Sequence, residues 1–128
     1  MAYVCEDTEA LEGAPVMGSH QCVVLVQRKA GAPVTSAWRA GVAVKDNLTL
    51  RKGTAIATFV DGRYPNHAHG NHAALYLSQD AAGILVMDQW KSANKLTVSK
   101  RTLYFKGKDK LGRYPNASQN ADAFSVIE

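Results

Sequence analysis

Short hydrophobic runs, separated by turns that contain glycine, proline or asparagine, follow an irregular lead-in over residues 1–18. The first run, residues 23–26, lies between Ser19, a favourable N-cap residue, and the helix-ending pair Gly31 and Pro33. These signals predict a helix over residues 20–29. Because three of the four residues in the run are β-branched, a strand is the competing interpretation. The run is apolar on all sides, so we expect the helix to be central in the fold.

From residue 41 onward the hydrophobic pattern indicates β-structure. The predicted strands cover residues 54–60, 73–77, 84–87, 96–105 and 123–127, and residues 35–40 are expected to form one short helical turn. An early helix followed by strands joined by short turns is typical of an α+β fold with an antiparallel sheet. A chain of 128 residues can bury a core, so we predict a single domain over residues 1–128.

The composition is that of an ordinary globular protein, with 46% hydrophobic and 20% charged residues. It excludes a disordered tail, a collagen-like chain and a disulfide-rich miniprotein, and no run approaches the roughly 18–20 apolar residues of a membrane span. The N-terminal residues lack the basic and apolar regions of a secretion signal, so we expect synthesis in the cytoplasm without a classical signal peptide. Cys5 and Cys22 are expected to be free thiols, with a disulfide between them as the alternative.

Positive charge is concentrated in the last third of the chain. The formal net charge is +4, and residues 91–113 carry eight basic residues against Asp109 alone. Such a segment suggests an anionic partner, such as nucleic acid, an anionic cell wall or phospholipid, but a solvated strand-and-loop face is the preferred interpretation. The segment lacks the regular interleaving of arginine and aromatic residues that nucleic-acid surfaces use, so nucleic acid is not an expected partner.

Cys22 is the candidate nucleophile. With Ser19 as the N-cap, Cys22 lies in the first turn of the predicted helix, where unpaired N–H groups and the helix dipole lower the pKa of a thiol. A thiolate is the nucleophile of acyl transfer, and backbone N–H groups near the helix start would bind the developing oxyanion. The alternative is an inert cysteine buried in an apolar helix.

His72 and Asp88 are the candidate partners of this thiol. His72 precedes one predicted strand and Asp88 ends the next one. If Ser78 pairs with Ala82 around a three-residue loop, His72 lies directly opposite Asp88 on the same face of the hairpin. A register shifted by one residue would place Asp88 on the other face, unless a bulge restores it. The expected roles are attack by Cys22, proton transfer by His72 and orientation of the imidazole by Asp88.

The remaining histidines suggest little metal chemistry. His67, His69 and His72 form an H-x-H-x2-H pattern, but a zinc site needs three or four convergent ligands, and a solvated loop is the commoner outcome. No metal or other cofactor is therefore expected.

A five-residue peptide, GRYPN, occurs at residues 62–66 and again at residues 112–116. We interpret it as a shared turn, in which proline fixes φ and asparagine tolerates the left-handed region. A pair of equivalent loops at the rim of a substrate site is the alternative.

Three segments carry a resemblance to a known superfamily. Residues 18–27 (GSHQCVVLVQ) resemble the nucleophile helix of the CHAP and NlpC/P60 cysteine amidohydrolases, papain-like bacterial enzymes that cut amide bonds in peptidoglycan. Residues 71–77 (NHAALYL) resemble their histidine strand, and residues 83–90 (GILVMDQW) the strand of the third residue. The resemblance implies a papain-like α+β fold, in which an N-terminal nucleophile helix packs on an antiparallel β-sheet. The order Cys, His, acid is that of the unpermuted members, whereas Val23 and Asp88 stand where many CHAP domains have other residues.

The chain as a whole is similar to a small bacterial family of single-domain proteins that resemble stand-alone amidase effectors. This implies a cysteine amidase or endopeptidase acting on peptidoglycan, delivered as a toxin into the periplasm of a rival cell, with an immunity protein or a secretion-system component as further partners. The residues expected to contact substrate flank the three catalytic candidates: His20, Gln21, Asn71, Gln89 and Trp90. The alternative function is a non-catalytic module that binds an anionic polymer through the basic segment.

Overall fold

The computed structural model describes residues 2–128, and within them one α-helix packs on an antiparallel sheet of six strands. The strand order across the sheet is β1-β6-β2-β3-β4-β5. This arrangement confirms the α+β prediction. The elements are α1 (Cys22–Ala30), β1 (Ala40–Ala43), β2 (Ala55–Thr58), β3 (Ala73–Gln79), β4 (Gly83–Asp88), β5 (Ser99–Tyr104) and β6 (Phe124–Ile127).

The five predicted strands are all present, with bounds that differ by a few residues. Strand β1 was not predicted, because its sequence, Ala-Gly-Val-Ala, is short, small and largely exposed at the sheet edge, so it carries no alternating pattern. The predicted helical turn at residues 35–40 is confined to Thr35–Ala37, and Ala40 begins β1. The lead-in contains one short 3-10 turn, Glu9–Leu11, and otherwise joins the rest through isolated bridges such as Val4 with Thr54.

The helix predicted around residues 20–29 forms, but its start was placed wrongly. Gln21 is the N-cap and Cys22 the first helical residue, so Ser19 does not cap the helix. The physical reason is a turn just before it: His20 has a φ of 74°, in the left-handed region, and its N–H donates to the carbonyl of Met17. The end was predicted correctly, since Gly31 caps the helix with a φ of 79°.

The helix lies against β3 on one face of the sheet and is not central, contrary to the expectation. Leu25 and Val26 are fully buried, while Val23 and Val24 keep partial exposure and the charged end of the helix faces solvent. Only one side of the apolar run is fully buried. The other side is covered in part by the flanking loops.

Alternation along the strands divides the core between the two faces of the sheet. Ala73, Leu75 and Met87 join the helix in one buried cluster, whereas Ala74 and Val86 belong to a second cluster on the other face. By the same alternation Asp88, at the end of β4, shares the second face with Val86. The helix and the third candidate residue therefore belong to opposite faces of the sheet.

The β3–β4 hairpin has a register that differs from the predicted one. Leu75 pairs with Met87, so by extension Asp88 lies opposite Ala74 rather than opposite His72. Leu77 is an extra residue, because Tyr76 pairs with Val86 and Ser78 already pairs with Leu85. Without this bulge the register of the hairpin tip would place His72 and Asp88 on opposite faces. With it, they are diagonal neighbours on one face.

Candidate active site

Cys22 is held in place by the residue that follows Asp88. The Gln89 side chain is fully buried, and its Nε2 donates to the carbonyl of Gln21 at 2.8 Å. The same amide bonds Met17 twice, accepting from its N–H at 2.8 Å and donating to its carbonyl at 3.2 Å. These bonds attach the start of α1 to the end of β4. Gln89 was expected to contact substrate, and that expectation is wrong, because its polar atoms are used inside the protein.

His72 stands immediately before β3 and bridges the helix start and the sheet. Thr58 fixes its backbone: the His72 N–H donates to Thr58 Oγ1, and the His72 carbonyl accepts from the Thr58 N–H, both at 3.0 Å. The imidazole is buried, and its Nε2 lies 2.7 Å from Asp88 Oδ2. Since Nε2 is engaged by Asp88, Nδ1 is the ring nitrogen that remains for Cys22, whose thiol interacts with the imidazole.

The electrostatics of the pair favour charge separation between thiol and imidazole. Burial by itself raises the pKa of the Cys22 thiol, but the hydrogen bond and charge of His72, the Ala73 N–H and the Tyr64 hydroxyl lower that pKa below its ordinary value. Burial by itself lowers the pKa of His72, but its hydrogen bonds to Asp88 and Cys22 and their charges raise that pKa to about 9. Both changes favour a thiolate beside an imidazolium.

Asp88 is completely buried and has two cationic neighbours. Its Oδ2 accepts from His72 Nε2 and from Arg101 Nε, each at 2.7 Å, whereas Oδ1 has no hydrogen-bond partner within residues 2–128. Arg101 was expected to belong to the basic segment, and its contact with Asp88 was not predicted. Strand alternation was the signal that could have found it, because Arg101 pairs with Val86 and so shares the face of Asp88.

Tyr64 is a second residue of the site that sequence reasoning missed. Its hydroxyl lies 3.9 Å from Cys22 Sγ and accepts a 3.0 Å hydrogen bond from Asn71 Nδ2. Burial, together with the negative charge of Cys22, raises the pKa of Tyr64, so the phenol stays protonated. Asn71 also accepts from the His67 N–H at 2.6 Å, so it shapes the loop beside His72 as well as the cleft.

The GRYPN peptides do share a turn. Asn66 and Asn116 are both left-handed, with φ of 53° and 48°, and the glycine that begins each peptide has a φ of 78°. The two loops are not equivalent at the cleft around Cys22, because Tyr64 faces Cys22 and Tyr114 lies under the Lys108 ammonium, 5.0 Å from it. Both peptides border a separate cavity of about 470 Å³.

The thiol opens into a cleft of about 310 Å³. Of the residues expected to contact substrate, Gln21, Asn71 and Trp90 line this cleft. His20 does not line it, because the left-handed turn places it outside the helix, where it is exposed. Lys91 is a lining residue that was not expected.

The structure also bears on the two cysteines, on the loop histidines and on membrane-spanning helices. Cys5 and Cys22 are free thiols, so the alternative disulfide is wrong. His67 and His69 are exposed, and no three His, Cys, Asp or Glu side chains of residues 2–128 group to hold a metal ion. In that same stretch no helix is long and apolar enough to cross a membrane.

Three of the eight basic residues in the basic segment have an acidic partner within residues 2–128. Arg101 bonds Asp88 inside the sheet, and Lys100 lies 3.8 Å from a Glu12 carboxylate oxygen. Further along, Arg113 forms an ion pair with Asp109 at 3.2 Å. These pairs weaken the interpretation of the segment as a docking surface for an anionic polymer.

Comparison with known proteins identifies the family. The model of the domesticated amidase effector 2 family matches residues 1–127. The chain belongs to this family. A Salmonella typhi protein named type VI secretion amidase effector 2 is 45% identical over the full length of both chains. The tick Ixodes scapularis has a domesticated amidase effector 2 that is 35% identical, covering 97% of this chain and 83% of its own length.

A solved structure agrees with this assignment. The structure of a type 6 secretion amidase effector 2 superposes with a TM-score of 0.91 at 44% identity, over 98% of this chain and 94% of that chain. The expected papain-like arrangement of helix and antiparallel sheet is therefore confirmed, as is the expectation of an amidase. The domesticated amidase effector 2 family is the small family of amidase effectors that the sequence resembled.

Proposed function

We propose that this chain is a cysteine amidase that hydrolyses amide bonds in the peptides of bacterial peptidoglycan, with residues 1–128 as one catalytic domain. The observation that carries the proposal is the connected set Cys22, His72 and Asp88. The thiol stands at the first residue of a helix beside the imidazole, and the imidazole is 2.7 Å from a fully buried carboxylate. Family membership supports the same reaction class.

In the acylation step Cys22 is the nucleophile. Its thiolate adds to the carbonyl carbon of the substrate amide, which forms a C–S bond and places negative charge on the carbonyl oxygen. When this intermediate collapses, the C–N bond breaks and the departing nitrogen takes the proton from His72 Nδ1. The result is a free amine and a thioester on Cys22, with His72 neutral.

In the deacylation step His72 is the general base. It takes a proton from a water molecule whose oxygen attacks the thioester carbon, and the C–S bond breaks. The acyl group leaves as a carboxylic acid, and the thiolate–imidazolium pair is restored. Asp88 keeps its bond to Nε2 throughout, which orients the ring and stabilises the imidazolium.

Two donors are placed for the oxyanion. The Cys22 N–H is the first of α1 and has no acceptor within the helix. The Tyr64 hydroxyl accepts from Asn71, so its own hydrogen is left to donate toward the region around the sulfur, 3.9 Å away. A protonated phenol and a backbone N–H that converge near the nucleophile can stabilise the charge that develops on the carbonyl oxygen.

The biological setting follows from the names of the relatives. The Salmonella typhi relative is a type VI secretion effector by name, so we infer delivery of this chain into the periplasm of a competing bacterium. A cell that makes such an enzyme needs protection from it, so an immunity protein that covers the cleft is the expected partner, alongside a component of the secretion machine.

Digestion of purified sacculi tests the proposal. Wild-type protein is expected to release new muropeptides, resolved by chromatography and mass spectrometry, and Cys22→Ala to release none while keeping the wild-type circular dichroism spectrum. Cys5→Ala is the matched control, because it removes the other free thiol, which is buried in the core. Iodoacetamide near neutral pH should label Cys22 faster than an ordinary thiol. A wild-type protein that releases no muropeptide and resists alkylation at Cys22 would refute the proposal.

A further inference from the structure

The guanidinium of Arg101 has donors that the protein does not use. Its Nε donates to Asp88 Oδ2 and its Nη1 to Gln119 Oε1, both at 2.7 Å. The remaining nitrogen, Nη2, lies 3.3 Å from His72 Nε2. Because the Nε2 hydrogen of a protonated His72 is donated to Asp88, that nitrogen cannot also accept from Arg101. Among residues 2–128, Nη2 therefore has no acceptor.

Arg101 lines a depression beside the catalytic cleft. This space of about 250 Å³ is bordered by Trp90, Arg101, Ser118 and Gln119, and it shares His72, Asn71 and Trp90 with the cleft that holds Cys22. The guanidinium carbon lies over the Trp90 ring, 4.8 Å from its centroid, and this cation–π contact helps to hold the side chain in place. No aspartate or glutamate among residues 2–128 lines the depression, so we look for an anionic acceptor on a ligand.

The local charge favours an anion at this place. Asp88 is fully buried and carries one negative charge between two cations, the protonated His72 and Arg101. These three groups together are therefore positive, and the Cys22 thiolate that balances them lies in the neighbouring cleft. A planar guanidinium with unused hydrogens suits a carboxylate, which accepts from two N–H groups at once.

We infer that Arg101 binds a free carboxylate of the substrate, next to the amide bond that Cys22 attacks. The inference rests on the proposed function, because peptidoglycan peptides carry free carboxylates on neighbouring residues. Arg101 then has two separate tasks: it holds Asp88 through Nε and selects an acidic substrate through Nη2. If Arg101 only held Asp88, its loss would slow the cleavage of all substrates equally. A preference for acidic substrates that depends on Arg101 therefore shows that it also binds the carboxylate.

The test compares matched muropeptides that carry either the free carboxylate or its carboxamide. In the first pair the two peptides differ at the branch carboxylate of the stem, and in the second pair they differ at the terminal carboxylate. The pair whose acid and amide forms are cleaved at different rates identifies the carboxylate that Arg101 binds. For one of these pairs, wild-type kcat/KM should be at least about tenfold higher for the acid than for the amide. Arg101→Gln should lower both rates and bring their ratio close to one. Arg113→Gln, which removes another cation from the same segment, should leave the ratio unchanged.

Binding measurements cover the case in which Arg101→Gln does not fold. Cys22→Ala protein, which cannot turn over, should bind the acid form more tightly by calorimetry than the matching amide, and the double variant Cys22→Ala/Arg101→Lys should lose most of that preference. Equal affinity for the two forms, or no measurable binding of the acid form, would overturn the inference. A wild-type protein that cleaves neither form of any pair would overturn the proposed function instead, and the calorimetric comparison would still decide on Arg101.

Discussion

Replacing Asp88 by Asn tests the most buried contact of the site. The substitution keeps the shape of the side chain but removes the negative charge that accepts from His72 Nε2 and Arg101 Nε. Asp88 does not line the catalytic cleft, so the substrate does not touch it. We expect kcat to fall while KM stays within about twofold of wild type, because only the stabilisation of the imidazolium is lost.

The size of the expected loss in kcat follows from the raised pKa of His72. The pKa of His72 is about 9 against an ordinary 6.5, and the Asp88 hydrogen bond is the largest of the contributions that raise it. The net difference corresponds to about 3 kcal/mol, and it remains after burial, which lowers the pKa, has offset part of what Asp88 and Cys22 contribute. If Asp88→Asn removes between half and most of this stabilisation of the imidazolium, kcat falls by about 10- to 100-fold. The pKa of His72 should at the same time move toward its ordinary value.

The assay combines initial rates on purified muropeptides with NMR titration of the imidazole resonances. Asp46→Asn is the matched control, since it removes one negative charge at an exposed position whose φ of 65° asparagine tolerates. Thermal melting shows whether both variants fold. An Asp88→Asn enzyme with wild-type kcat and an unchanged His72 pKa would refute the assigned role.

Four further predictions concern the same site. His72→Ala should abolish turnover to within the background of the Cys22→Ala protein, a larger loss than that of Asp88→Asn; residual activity above that background would contradict its role as base. As pH increases, kcat/KM should first rise at a pH below the ordinary pKa of a thiol, because Cys22 ionises there. It should then fall near pH 9, because His72 loses its proton. A rise that continues past pH 10 would contradict the ion pair. Tyr64→Phe should lower kcat by about 10- to 100-fold with little change in Tm, and an unchanged kcat would exclude its hydroxyl as an oxyanion donor. Gln89→Ala should lower the free energy of unfolding by about 2–4 kcal/mol, or Tm by roughly 10 °C, because it removes a fully buried side chain and its three hydrogen bonds. An unchanged Tm would contradict this prediction.

The sequence predicted the parts of the fold that depend on short-range patterns. Buried strands such as β2 and β4 have apolar runs with polar boundaries, and Gly31 ends the helix for a local steric reason. The start of the helix was missed because His20 adopts a left-handed conformation that histidine seldom takes. Gly18 is left-handed as well, with a φ of 56°, and it is the residue near Ser19 whose type could have signalled the turn.

Long-range contacts account for the rest of what was missed. The predicted pairing of Ser78 with Ala82 was wrong, because the turn closes between Asp80 and Gly83 and Leu77 forms a bulge. His72 and Asp88 nevertheless lie on one face of the hairpin. Tyr64 reaches Cys22 across 42 residues of sequence, through a loop whose path is set by tertiary packing. Loops of this kind have no periodicity from which such a contact could be inferred.

Asp88 and Gln89 are neighbours in sequence, yet their side chains act on opposite faces of the sheet. Asp88 holds the base, and Gln89 holds the backbone that carries the nucleophile. The separation between thiol and imidazole consequently depends on this end of β4, together with the Thr58 bonds that hold the His72 backbone, more than on the thickness of the apolar layer between helix and sheet. Substitutions that thicken or thin that layer, at Leu25 or Leu75 for example, should alter the melting temperature far more than the reaction rate. The core beneath the helix is thus a region where evolution, or an engineer, can adjust heat resistance independently of chemistry.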